Sequence, residues 1–134
     1  MQKEITVVIV IIFLIITTHI LTQDYTKKNI ALINEKISNV QEVARGLEEN
    51  ENEEKQQELL QKVSKIREEW NQIYRNMSFY IEHDELEKVN TSLTLSEGYL
   101  SLQEYREGIP ELENCKYILK HIQDKQSLKT INLF

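Results

Sequence analysis

The residues best suited to chemistry lie in one run, Glu82-His83-Asp84-Glu85, followed by Glu87. On a helix His83 and Glu87 are four apart and share a face, where an imidazole and a carboxylate can exchange a proton or begin a metal site. A structural metal normally takes ligands from several segments, and the only other histidine in the polar part of the chain is His121. Neither His-Glu-x-x-His nor Glu-x-x-His occurs, so the zinc-protease and di-iron patterns are absent. The run therefore reads as a polar turn or bundle edge in which His83 bonds a neighbouring carboxylate, with no metal or cofactor expected.

Two further residues carry weight. His19 is the ionisable group inside an otherwise apolar segment, a position that is a functional suspect by default. It lies close to Asp24, so reaching toward an interface explains it without a proton path. Trp70 falls on an apolar helical stripe and reads as core, as do Tyr74 and Tyr80, while Tyr99, Tyr105 and Tyr117 could line a cleft between helices. Cys115 is the single cysteine, so no disulfide forms within the chain, and no nearby His or Asn is placed to activate it. No serine sits in a nucleophile-elbow context. An enzyme is not expected.

These residues must be positioned by what surrounds them, and the dominant element is Ile5 to Thr22. It contains no Asp, Glu, Lys or Arg, and thirteen of its eighteen residues are Ile, Val, Leu or Phe. As a helix it would reach roughly 27 Å, close to a bilayer's hydrocarbon thickness. Its backbone can be satisfied in lipid only as a helix, despite the many β-branched residues. The exit from Thr17 to Asp24 lacks the small-x-small pattern of a cleaved signal peptide, so an uncleaved anchor over residues 1–23 is expected.

The remainder, residues 24–134, is polar with regular apolar stripes. Ile30, Ile33, Ile37, Val40, Ala44 and Leu47 alternate in steps of three and four, with nothing to break a helix between them and the apolar segment. Gly46 and the like charges of residues 48–54 predict an acidic loop, after which Asn52 is placed to cap a second helix. Leu59, Val63, Ile66, Trp70, Ile73, Met77 and Tyr80 form the second stripe, with Val43, Leu60, Tyr74 and Ile81 widening the two seams. The frame fails at residues 82–85, a turn or a stutter, and restarts with Leu86, Val89, Leu93, Ser96 and Leu100. Ser101 and Glu104 have the spacing of a capping box opening a last helix through Tyr105, Ile109, Leu112, Cys115, Leu119 and Ile122. Pro110 either kinks that helix or marks its start. A tail over residues 124–134 shows no period, though Leu128, Ile131, Leu133 and Phe134 could dock on the bundle. The expected fold is all-α: an N-terminal transmembrane helix followed by an antiparallel bundle of three to four helices.

Net charge at pH 7 is −6 over 134 residues, nearly all of it outside the apolar segment. No basic stripe is present, so nucleic acid is not an expected partner. Lys116, Lys120, Lys125 and Lys129 make the C-terminal end locally basic, which allows a contact with anionic headgroups if the bundle folds back to the surface.

The run Tyr80-Ile81-Glu82-His83-Asp84-Glu85-Leu86, with Trp70 ahead of it, then Leu112, Lys116-Tyr117-Ile118-Leu119-Lys120-His121-Ile122, Asp124-Lys125, Leu128 and Asn132, resembles domain-of-unknown-function family 4363. The resemblance implies a small bacterial protein with one N-terminal membrane helix and a helical domain outside the cytoplasm. It also implies a gene neighbourhood shared with a second membrane protein, and it transfers no catalytic residue. Gly108 and Pro110 depart from the helix-favouring residues that the family pattern suggests there.

The expectation that follows is a single-pass protein of the cell membrane, anchored in the bilayer through Ile5 to Thr22. By charge count, Lys3 and the α-amino group oppose Lys27, Lys28 and Lys36, which favours a cytoplasmic domain. The resemblance decides for a cytoplasmic N-terminus and an external bundle. Its expected role is an interaction module or accessory subunit of another membrane protein. The alternatives are a ligand-sensing bundle and a homodimeric coiled-coil scaffold joined through Ile30 to Leu47.

Overall fold

A computed structural model of the protein describes residues 1–131. It is built from four helices: α1 (Gln2–Glu49), α2 (Glu53–Met77), α3 (His83–Ser101) and α4 (Tyr105–Ile131), with no strand among the described residues. α1 is unbroken for 48 residues, about 72 Å at the usual helical rise, so the apolar segment and the first stripe are one rod. Its N-terminal part stands clear of everything else: an 18-residue window has mean hydropathy 2.7 and none of it is buried. That length and composition fit a membrane anchor or a signal sequence.

The C-terminal half of α1 is one wall of a four-helix bundle. α1 packs on α2 and α4, and α3 packs closely on α4 and more lightly on α2. The short connections make consecutive helices antiparallel, as the stripes imply. Ile30, Ile33, Ile37, Val40, Ala44 and Leu47 are all buried, and they meet Leu59, Val63, Ile66, Trp70, Ile73 and Met77 of α2. Leu86, Val89, Leu93, Ser96 and Leu100 of α3 close the core with Leu112, Cys115, Leu119 and Ile122 of α4. Burial also pushes the Cys115 thiol up to about 12, so it stays protonated and behaves as a small apolar side chain.

Several boundaries differ from those the sequence suggests. The acidic loop is shorter than residues 48–54: α1 continues to Glu49, and only residues 50–52 lie between the helices. Asn52 does cap α2, its side chain accepting from the Lys55 amide at 2.9 Å, and Glu53 and Glu54 then sit at the positive end of the helix dipole. The frame break is a true turn, but it occupies residues 78–82 and not 82–85, so that His83, Asp84 and Glu85 form the first turn of α3.

Ser101 is not a helix N-cap. It ends α3 and its hydroxyl donates back to the Gly98 carbonyl at 2.7 Å. The chain leaves α3 through a Schellman arrangement, with the Glu104 amide on the Tyr99 carbonyl, the Gln103 amide on the Leu100 carbonyl, and Gln103 at φ +60°. That position normally takes glycine, and its occupation by glutamine hides the turn from a sequence reading. Pro110 does not begin α4, which already starts at Tyr105 and runs through it. Pro110 and Arg106 are both exposed, so the Arg106 carbonyl that loses its amide partner lies on the solvent side. The expected tail is helical as far as Ile131; Asn132, Leu133 and Phe134 lie outside the described residues.

Candidate functional site

The polar residues that sequence analysis singles out collect at one end of the bundle, the end from which the apolar segment emerges. We call it the base. It is formed by residues 19–28 of α1, the 78–82 turn with the ends of α2 and α3 that flank it, and the last turns of α4.

Its centre is a set of hydrogen bonds that tie polar residues of α1 to α2, to the 78–82 turn and to α4. Thr26, buried, shares a 2.9 Å hydrogen bond with the Tyr80 hydroxyl. The Asn76 amide donates to the Tyr25 hydroxyl at 2.7 Å, and the Gln23 amide donates to the Gln126 carbonyl at 2.8 Å. Burial raises the Tyr80 phenol above its ordinary range, so it remains a neutral hydrogen-bonding group.

One corner holds His83. Tyr74 donates to Glu87 at 2.7 Å, and the Tyr74 oxygen lies 2.6 Å from His83 Nδ1. The hydrogen bond to Glu87, with burial and the carboxylate charge adding to it, pushes the Tyr74 phenol up to about 12. With its proton held by Glu87, the phenol oxygen accepts from Nδ1–H of His83. His83 Nε2 is 3.8 Å from Glu87, as expected for the i, i+4 pair. Tyr74 stands edge-on to both Trp70 and His83, with ring centroids at 6.3 and 5.8 Å. Trp70 itself is wholly buried and supports this corner from beneath.

The other corner is an ion cluster. Lys125 of α4 lies 3.5 Å from both Glu82 and Glu85, and Lys88 lies 3.4 Å from Glu85. Burial works against the charge on Glu85, whose side chain is 12 % exposed, but Lys125 and Lys88 outweigh it and hold the carboxyl below its usual range. Asp84, on the same first turn, is exposed and sits at the positive end of the α3 dipole.

The Glu82-His83-Asp84-Glu85 run is thus divided: His83 turns to Tyr74 and Glu87, while Glu82 and Glu85 turn to Lys125. Among the described residues no three metal-ligating side chains converge. His83 is 70 % exposed on the outer surface, where a histidine–tyrosine–carboxylate set can order a turn but does not enclose a reacting group. His19 is half-buried beside α4, in a groove it shares with Ile20, Gln23, Gln123 and Ser127. The tyrosines do not share a cleft: Tyr117 is exposed, and Tyr105 is buried at the far end, donating to Gln56 at 2.6 Å.

Sequence analysis missed Lys125 as the partner of Glu82 and Glu85, and missed Gln23, Thr26 and Gln126 altogether. A signal was available for three of these. Continuing the three–four spacing back from Ile30 lands on Thr26, Gln23 and His19, and continuing the α4 stripe past Ile122 lands on Gln126. Polar residues on a core stripe are candidates for mutual pairing, since each needs a partner once buried.

A family model described as a domain of unknown function (DUF4363) matches residues 20–133, covering the bundle and leaving most of the apolar segment outside. No curated protein and no solved structure matches the chain.

Proposed function

The chain belongs to domain-of-unknown-function family 4363, and from that premise we propose that it is a membrane-anchored, extracytoplasmic helical bundle that serves as an interaction or accessory subunit of another membrane protein. The observation that carries this reading is the exposed apolar stretch of α1, continuous as one helix with the bundle. Exposed to water, a surface of that size is a liability; placed in lipid it becomes the anchor. Orientation follows the family resemblance, with Lys3 inside and the bundle outside.

The base is the part of the bundle nearest the membrane in this arrangement, so its hydrogen bonds set the angle at which the bundle is held. No catalytic role is assigned to His83, and none to Cys115, whose thiol is buried. Of the alternatives, a homodimer through Ile30 to Leu47 has lost its surface, because α2 and α4 of the same chain cover those side chains. A second copy would have to use another face. A sensor built on Tyr99, Tyr105 and Tyr117 lacks a common pocket for its ligand.

The test is a topology and partner experiment. A single cysteine at Asn50, in a Cys115→Ala background, is treated in intact cells with a membrane-impermeant maleimide. Labelling before lysis supports an external bundle, and labelling only after lysis places it in the cytoplasm. Recovery of a defined membrane protein with the full chain from detergent extracts supports the accessory role. Repeated recovery of the chain alone, at native expression, argues against it.

A further inference from the structure

The base presents exposed apolar side chains that the bundle does not use. Phe79, in the turn between α2 and α3, is 89 % exposed; Leu128 and Ile131, in the last turns of α4, are 60 % and 70 % exposed. All three lie at the end from which the apolar segment leaves.

The register between α1 and α4 fixes their depth. Gln23 bonds the carbonyl of Gln126, and the two helices run in opposite directions. Beyond Gln126, α4 therefore travels alongside the apolar part of α1. At the helical rise, Ile131 stands about 7 Å past that contact, level with the turn of α1 around Thr18. The groove lined by His19, Ile20, Gln123 and Ser127 places α4 beside α1 at these levels. On α2, Asn76 pairs with Tyr25, which puts Phe79, three residues further on, near the end of the apolar segment at Thr22.

We propose that the base of the bundle is seated in the lipid headgroup and acyl boundary, with Phe79, Leu128 and Ile131 inserted beside the anchor. This rests on the reading of residues 5–22 as a membrane span. If that span ends at Thr22, the last turns of α4 cannot avoid the boundary zone. Amphipathic elements in that zone bury their apolar side chains to a depth of about 5–10 Å, which the position of Ile131 along α1 matches.

Charge agrees with the placement. The base carries exposed Lys27, Lys28, Arg75 and Lys129 together with exposed Asp24, Glu82, Asp84 and Asp124, so its charges nearly balance, and its long cationic side chains can lie along the surface toward anionic headgroups. The opposite end gathers Glu48, Glu49, Glu51, Glu53, Glu104 and Glu107, so the acidic pole points away from the membrane. The bundle then stands on three supports, the anchor, the 78–82 turn and the end of α4, and is not free to swing on α1 alone.

The experiment uses the full chain in liposomes of phosphatidylcholine and phosphatidylglycerol. Single cysteines at Phe79, Leu128, Asn50 or Ile12, in a Cys115→Ala background, carry an environment-sensitive nitrobenzoxadiazole label. Quenching is read with lipid spin-labelled near the headgroup. All four positions are exposed, and far-UV circular dichroism checks that each variant is folded. The Phe79 and Leu128 labels should shift to the blue and lose about half their emission to the quencher, while Asn50 remains unquenched. Labels at Phe79 and Leu128 that behave like Asn50, with Ile12 still buried in lipid, overturn the seating and leave the anchor standing. An Ile12 label in water overturns the anchor and the seating together. Protection of Phe79 and Leu128 in native membranes but not in pure lipid assigns the face to a protein and also overturns the proposal.

Discussion

The hydroxyls of Thr26 and Tyr80, 54 residues apart, meet at 2.9 Å in the base of the bundle. The contact ties the α2–α3 turn to the point where α1 leaves the bundle. It joins the ends of two stripes: Tyr80 closes that of α2, and Thr26 extends that of α1 by one step.

Removing either hydroxyl should therefore be felt by the fold. Tyr80→Phe leaves the buried Thr26 hydroxyl without this partner and is expected to cost about 1–2 kcal/mol. In a cycle with Thr26→Val, the double variant should lose less than the two single variants together. Strict additivity in urea denaturation would show that the two groups do not communicate.

The Lys125 cluster predicts a pH dependence with a definite sign. The carboxyl of Glu85 is held below its usual range in the folded state, so its contribution is fully present above the unfolded glutamate value, about 4.3, and is lost as pH falls through the folded value. Wild type should be more stable than Glu85→Gln at pH 7, and the gap should close on acidification toward pH 3. A gap that stays constant across that window would mean that the pairing with Lys125 contributes nothing.

Gln103, at φ +60°, occupies the left-handed position of the α3 terminus. Gln103→Gly removes the Cβ strain at the expense of a more flexible unfolded chain, and a net gain of up to about 1 kcal/mol is expected. An unchanged or lowered denaturation midpoint would indicate that the glutamine side chain contributes a contact of its own.

The three glycines should divide. Gly46 and Gly98 lie in helices with nothing within 4 Å of an added Cβ, so an alanine at either site should gain about 0.5 kcal/mol through helix propensity. At Gly108 an added Cβ would lie 2.9 Å from Cδ2 of the fully buried Leu100. Gly108→Ala should thus lose about 1–3 kcal/mol, because the α3–α4 hairpin closes on that point. Equal gains at all three sites would show that Leu100 has room to move.

The apolar spacing made most of this fold legible. The stripes from Ile30 to Ile122 are buried where their period places them, except that Tyr80 and Ile109 are only partly buried at the edge of the core, and Asn52 caps the helix its position suggests. What misled was punctuation. Three glycines and one proline leave the turns unmarked, so the apolar spacing places the 78–82 turn too late and Ser101 looks like a helix start. Like charges at Glu48 and Glu49 also look like a loop, although they are tolerated on the exposed face of a helix end. The base was hidden for another reason. Its partners are far apart in sequence, and only the crossing of helices brings Lys125 to Glu82 or Gln23 to Gln126.

Trp70 tests whether the corner at His83 depends on the core below it. It is wholly buried and meets Tyr74 edge-on, and Tyr74 in turn holds His83 and Glu87. Trp70→Ala removes the largest side chain of the core and should cost about 3–5 kcal/mol, a large share of the stability of a domain this size. Trp70→Phe should cost clearly less, since a ring still fills part of the site and the buried indole Nε1, which has no hydrogen-bond partner among the described residues, is gone. Thermal melts by far-UV circular dichroism rank the two. The accompanying measurement is the His83 ring by NMR: its proton signals, which lie against the edge-on Tyr74 ring, should move in Trp70→Ala below the melting point, because Tyr74 loses the wall that orients it. A His83 signal indifferent to both substitutions, with stability lost as expected, would separate the corner from the core and leave the 78–82 turn as its only support.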